Sequence, residues 1–157
     1  MDRGYIYLNK KSFLHNIEVL KNLSRKELCL VVKANSYGHG LDWAVKNAKE
    51  SGVKWFAVAS VDEGMQVKKV YQESRVLLLA EPSITQLDNV MGNNIDLTVY
   101  NENFIDALIE TGDEFSVHLK IDTGMHRLGC PPEKFYDLYK KIIDSNLNLI
   151  GICTHFP

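Results

Sequence analysis

Apolar residues fall along the chain in two alternating rhythms. Near-continuous apolar runs cover 28–34, 55–60, 75–80, 95–100, Ser116–Ile121 and 149–154. Runs of this length without strict polar alternation predict strands covered on both faces. The segments between them have helical period. Phe13, Leu14, Ile17, Leu20 and Leu23 recur on one face, with Asn9 or Ser12 available as the cap. Ala44, Val45 and Ala48 repeat the device, and Gly52 supplies a stop. A third helix is predicted over 61–71, with Asp62 and Glu63 in the first turn, where negative charge is favoured. A fourth covers 101–111 and stops at Gly112. A fifth is opened by Pro131 and Pro132 and runs to about Ser145. Tyr5, Ile6, Tyr7 and Leu8 form a short alternating segment outside this rhythm.

Strand and helix repeating at intervals of about 20 to 33 residues imply right-handed βαβ units and a parallel sheet. Two architectures fit six such strands. One is a doubly wound open sheet; the other is an incomplete (β/α)8 barrel, whose full form needs about 200 residues or more. Periodicity does not separate them. The length, 157 residues, suits one domain with a real core.

Composition narrows the partners. The chain is 45% hydrophobic and 24% charged, with a net charge of -2, which gives no electrostatic reason to expect nucleic acid or an anionic membrane. The longest apolar runs are too short to span a bilayer, and no apolar signal core follows Met1, so a cytoplasmic location is expected. Cys29, Cys130 and Cys153 have wide, unequal spacing and no zinc-ligand pattern. Cys29 and Cys153 lie in apolar runs and read as small buried hydrophobes.

Three segments carry candidate chemistry. In VVKANSYGHG, Lys33 ends an apolar strand and a polar loop with Gly38 and Gly40 follows. A sheltered lysine amine is costly as an ammonium, and neutral it condenses with aldehydes. The loop glycines would let backbone N–H groups approach an anion; the alternative is a lysine that snorkels to solvent. In HLKIDTGMHRLG, Lys120 and Asp122 alternate with Leu119 and Ile121, so both point to one side of the fifth strand, with Arg127 in the turn beyond. Such groups lie where ligands bind in parallel α/β folds, although a surface ion-pair set of Lys120, Asp122 and Arg127 fits equally. The third segment is CTHF at the end of the last strand, where His155 is either structural or functional.

Taken together and in this order, VVKANSYGHG, HLKIDTGMHRLG and the terminal THF resemble the signatures of bacterial alanine racemases, and FAVAS followed by Asp62-Glu63-Gly64 agrees. The resemblance covers nearly the whole chain. It implies an N-terminal (β/α)8 barrel of the TIM type, here truncated after about six strands. In the family this barrel holds pyridoxal 5'-phosphate, is followed by a C-terminal β domain, and works as a homodimer. By the resemblance, Lys33 forms the Schiff base with the cofactor and is one of two acid/bases at the substrate α-carbon. Tyr37 would contact the cofactor phosphate, Arg127 the phenolic oxygen, and His155 the pyridine ring. Lys120 matches a lysine that is carbamylated in some members to orient that arginine. Asp122, Met125 and Gly129 serve shape rather than chemistry. His126 stands where the family often has glycine, and residues 5–9 match the family's opening strand.

The implied activity is interconversion of L- and D-alanine, supplying D-alanine for peptidoglycan. No metal is implied. The chain stops at Pro157, before the family's second base and remaining phosphate ligands, so an N-terminal fragment with little racemase activity of its own is expected. Two other readings stand beside it: a PLP carrier of similar fold that does not racemise, and a half-barrel with only a structural role. Serine racemase relatives share near-identical signatures, which leaves the substrate side chain open.

Overall fold

The structure is a computed structural model that describes residues 4–157. Two compact units divide it, one reaching Val76 and the other Leu77–Pro157.

The first unit opens on α1 (Lys10–Ser24). Asn9, not Ser12, is the N-cap, its side chain accepting from the Ser12 N–H at 3.0 Å. Arg25 closes the helix in a left-handed conformation. Then follow β1 (Cys29–Val31), a short turn α2 (Lys33–Tyr37), α3 (Leu41–Glu50), β2 (Trp55–Val58) and α4 (Val61–Val70). Helix α3 buries Leu41, Ala44, Val45 and Ala48, the i, i+3, i+4, i+7 stripe of a packed helix. Phe13 of α1 meets Trp43 of α3 with ring centroids 5.0 Å apart. Strands β1 and β2 pair in parallel from Cys29 opposite Trp55 to Val31 opposite Ala57.

Strand β3 (Arg75–Leu78) spans the boundary between the units. The second unit continues with a 3-10 turn (Ile84–Gln86), α5 (Leu87–Gly92), β4 (Ile95–Val99), α6 (Glu102–Glu110), β5 (Ser116–Ile121), a 3-10 turn (Pro132–Lys134), α7 (Phe135–Ile143) and β6 (Asn148–Thr154). Its strands carry the core: Ile95, Leu97, Val99, Val117 and Leu119 are all buried. Strands β4 and β5 are parallel, as are β5 and β6, with one register shift between Val117 and His118. Leu149 lies opposite Val117 but Gly151 opposite His118, so β6 holds an extra residue there.

Strand order is β1-β2-β3-β4-β5-β6. That order separates the two architectures. A doubly wound sheet reverses direction partway, whereas a barrel adds each strand beside the last. The fold is an α/β parallel sheet of the (β/α)8 barrel type, truncated after six strands.

All six predicted strands and five predicted helices are present. Residues 5–8 differ: they form no strand, and Tyr5, Ile6 and Tyr7 are 92%, 73% and 91% exposed. Alternation makes a strand only where a neighbour supplies the ladder. Cys130 is buried, while Cys29 and Cys153 are half-buried rather than core residues. Among the described residues no helix is long and apolar enough to cross a membrane.

Candidate functional site

In the first unit, Lys33 does not end the strand as the apolar run suggests. Strand β1 stops at Val31, although the Val32 N–H still donates to the Ala57 carbonyl at 2.9 Å. The chain then turns left-handed. Ala34, Asn35, Ser36 and Tyr37 all have φ between 50° and 53°, and none is glycine. Each such residue costs about 1–2 kcal/mol, so neighbours must hold the turn. The Ser36 N–H donates to the Val32 carbonyl (2.8 Å) and the Gly38 N–H to the Ala34 carbonyl (3.1 Å). Asn35 is the hub: its carbonyl accepts from the Gly40 N–H at 2.9 Å, and its Oδ1 accepts from the Leu41 N–H at 2.8 Å, satisfying the first donor of α3. The amides of Gly38 and Gly40 are therefore used inside the turn and do not form the expected anion cradle. Lys33 is half-buried and Tyr37 is 60% exposed; neither side chain has a hydrogen bond or ion pair among the described residues.

In the second unit, Lys120 lies on β5 with 8% exposure, a deeply placed cation. Asp122 follows just past the strand, half-buried. The two do not form an ion-pair set with Arg127. Asp122 Oδ1 accepts instead from the Gly124 and His126 N–H groups, both at 3.0 Å, and its Oδ2 is 3.4 Å from His126 Nδ1. The loop then returns to the strand. The Cys130 N–H donates to the Lys120 carbonyl (2.8 Å), and the Asp122 N–H to the Cys130 carbonyl (2.9 Å). Arg127 is exposed on this clamped loop. His126 has φ 53°, which explains why glycine suits that position. His155 lies exposed immediately beyond β6, whose Thr154 hydroxyl contacts the Thr123 hydroxyl at 2.7 Å and the Ile121 carbonyl at 2.8 Å. The side chains of Lys120, Arg127 and His155 make no hydrogen bond or ion pair among the described residues. Burial pushes the Cys153 thiol up, opposed by the charge of Lys120, its register neighbour.

The Gly124 and His126 amides hold the Asp122 carboxyl below its usual range, helped by the His126 side chain. The native pKa is thus lower than the unfolded value of about 3.9. Its stabilisation is complete above that unfolded value and is lost as pH falls through the native one. The Gly124 and His126 amide NMR shifts should therefore hold at about pH 5 and move together only below the usual carboxylate range. In Asp122→Asn that acid transition should vanish; if the transition that the substitution removes lies above pH about 4.5, the assignment is contradicted.

Three structural ties were not singled out by the sequence reading. Glu63 Oε1 accepts from the Ala34 N–H at 2.6 Å and Oε2 from the Ala59 N–H at 2.9 Å. Glu81 Oε1 accepts from the Tyr100 and Asn101 N–H groups, both at 2.8 Å, with burial raising its pKa against those bonds. Asn35 is the third. Only Glu63 left a signal: Ser60 and Glu63 have capping-box spacing, and Ser60 Oγ accepts from the Glu63 N–H at 3.3 Å.

Comparison with known proteins decides the lineage. The model of the alanine racemase N-terminal domain matches residues 8–157. The chain belongs to the alanine racemase family. It is 35% identical to the alanine racemase of Treponema pallidum over 151 residues, which are 90% of this chain and 40% of that protein. It is 33% identical to an amino-acid racemase of Enterococcus faecalis, over 98% of this chain and 22% of that protein. The crystal structure of the biosynthetic alanine racemase from Pseudomonas aeruginosa superposes with a TM-score of 0.86 at 26% identity, over 94% of this chain and 42% of that one. This member of the alanine racemase family thus spans about two-fifths of the Treponema relative's length. Its barrel topology and its two motif loops fall within the matched region.

Proposed function

We propose that the chain supplies the cofactor-lysine portion of a pyridoxal-phosphate-dependent amino-acid racemase that interconverts L- and D-alanine. The product D-alanine would serve peptidoglycan synthesis, in the cytoplasm, with the whole enzyme a homodimer. The observation that carries this reading is Lys33 at the entrance of a left-handed turn, just past β1. The residue is half-buried, and its side chain has no hydrogen bond or ion pair among the described residues.

The residues suit an anionic aldehyde cofactor. Buried or partly buried polar groups normally find partners, and a deeply placed charge without one is costly. Lys33, Lys120 and Arg127 have no carboxylate partner among the described residues, so each retains its full capacity for an anionic group. Pyridoxal phosphate, when bound, draws electron density from the substrate α-carbon and so acidifies its proton. Lys33 would hold the cofactor and move the α-proton on one face. The Tyr37 hydroxyl would donate to the phosphate, and the Arg127 guanidinium to the phenolic oxygen. Lys120, carrying a carbamate as in some relatives, would orient Arg127, and His155 would lie against the pyridine ring.

Borohydride reduction of the chain mixed with pyridoxal phosphate should leave the pyridoxyl group on Lys33, read by peptide mapping. Lys33→Ala should lose that label with its melting temperature nearly unchanged. Equal labelling of the exposed lysines, or a label retained in Lys33→Ala, would defeat the assignment.

A further inference from the structure

We infer that Glu63 is a positioning residue for Lys33, acting through the Lys33–Ala34 peptide and not by contact with the amine; the inference deepens the proposed cofactor role of Lys33 and rests on it for its functional meaning. The Ala34 N–H belongs to the peptide that leaves Lys33, and it donates to Glu63 Oε1 at 2.6 Å. Peptides are planar, so fixing that N–H fixes the orientation of the Lys33 carbonyl and the exit direction of its backbone. On the other flank, the carbonyl of the Val32–Lys33 peptide accepts from the Ser36 N–H at 2.8 Å, and the Val32 N–H one peptide earlier is held by the Ala57 carbonyl at 2.9 Å. Lys33 is thus pinned before and after, which restricts the direction of its Cα–Cβ bond.

The carboxylate is suited to this task in charge as well as shape. Its second oxygen accepts from the Ala59 N–H at 2.9 Å, so one ion joins the segment after β1 to the segment after β2. Bonds to an ionised acceptor are shorter and stronger than neutral ones. Glu63 also lies in the first turn of α4, a ten-residue helix, where the backbone favours negative charge. In the usual capping box the glutamate returns to its own N-cap N–H; here it reaches past Ser60 to Ala59 and across to Ala34. The turn it holds has four consecutive non-glycine residues at positive φ, a conformation that relaxes unless its neighbours over-determine it.

Glu63→Gln tests this in the full chain, because the isosteric amide can accept at one position but presents an N–H2 group to the other donor. Two readouts are taken: pyridoxal phosphate and borohydride labelling of Lys33 relative to exposed Lys46, and hydrogen exchange at the Ala34 amide. The Lys33 to Lys46 ratio should fall on the order of tenfold, as expected when a reacting group is misplaced by a fraction of its working geometry. The Ala34 amide should exchange faster, with the melting temperature little changed. A merely structural Glu63 would lower the melting temperature and leave the labelling ratio unchanged, and that result overturns the inference. If wild-type Lys33 is labelled no better than Lys46, the cofactor reading fails. Positioning is then judged from Ala34 exchange and from the Lys33 to Lys46 acetylation ratio with acetic anhydride. Identical values in wild type and Glu63→Gln would overturn it separately.

Discussion

Gly129→Ala should lower the melting temperature by roughly 10 °C, the larger of the two stability effects expected here. A Cβ at residue 129 would sit 2.5 Å from the Asp122 nitrogen and 2.7 Å from the Ile121 carbonyl carbon. Both are backbone atoms of the strand end, so no side chain can rotate away. The residue also has φ 135°, which an L side chain adopts only with strain. Relief requires Cys130 to leave β5, breaking its bonds to the Lys120 carbonyl and from the Asp122 N–H. Two backbone bonds at about 1 kcal/mol each and positive-φ strain of about 1–2 kcal/mol give a loss near 3 kcal/mol. A control separates clash from strain. Gly124 has φ 132°, but a Cβ there meets only Pro157 side-chain atoms, the nearer at 3.6 Å. Gly124→Ala should therefore cost much less. Equal melting temperatures for the two variants would show that the backbone approach at 129 does not matter. Under the role proposed for Arg127 the change would also disturb its placement, because the loop that carries it is fastened by those two bonds.

How much of this was legible in the sequence follows from the range of the forces involved. The strands were readable because burial on both faces writes near-continuous apolar runs, as in 76–80. Helix α5 was not: six residues with only Leu87 and Val90 buried are too short to establish a period. The lysine motif marked Lys33 as a candidate, but not the left-handed turn that carries it. Ala34, Ser36 and Tyr37 have no intrinsic preference for positive φ, and one of the bonds that hold the turn comes from Glu63, 29 residues from Ala34. Likewise Asp122 read as a partner for Lys120 and Arg127, since charge spacing does not reveal that the nearest donors would be backbone amides of its own loop. Side-chain identity and period were visible. Which backbone donor each carboxylate would capture was not.

Those captures share a logic. Glu63 ties the segment after β1 to the segment after β2. In the second unit, Glu81 holds the entry to α6, and Thr154 links the ends of β5 and β6. Loops at the carboxyl ends of parallel strands carry the ligand chemistry of such folds, yet loops are the least constrained part of a chain. Here single side chains spanning adjacent loops remove that freedom. The groups doing so are distinct from Lys33, Tyr37, Arg127 and His155, whose side chains make no hydrogen bond or ion pair among the described residues. Under the proposed function, holding and reacting would thus be divided between different residues.

Gly151→Ala carries the second large effect, and its origin lies one layer below the rim. The extra residue in β6 places Gly151 opposite His118, and a Cβ there would lie 2.3 Å from His118 Nδ1 and 2.6 Å from Cε1. His118 is 5% exposed on β5, with Thr98, 1% exposed, opposite it on β4. The ring therefore has little room to yield. Overpacking of this kind costs about 1–3 kcal/mol, a drop of roughly 3–9 °C in melting temperature at about 3 °C per kcal/mol for a domain of this size. Because the opposing atoms belong to a side chain, the loss should be recoverable. His118→Ala added to Gly151→Ala should restore part of it, with a coupling energy of at least about 1 kcal/mol in a double-mutant cycle. His118 is also two residues from Lys120, on the same face of β5. Displacing its ring should then disturb Lys120 even in conditions where the chain stays folded, detectable as a shift of the Lys120 side-chain NMR signal. A Gly151→Ala protein with unchanged melting temperature and additive behaviour with His118→Ala would mean that the histidine already has space. The absence of a side chain at 151 would then have no packing cause.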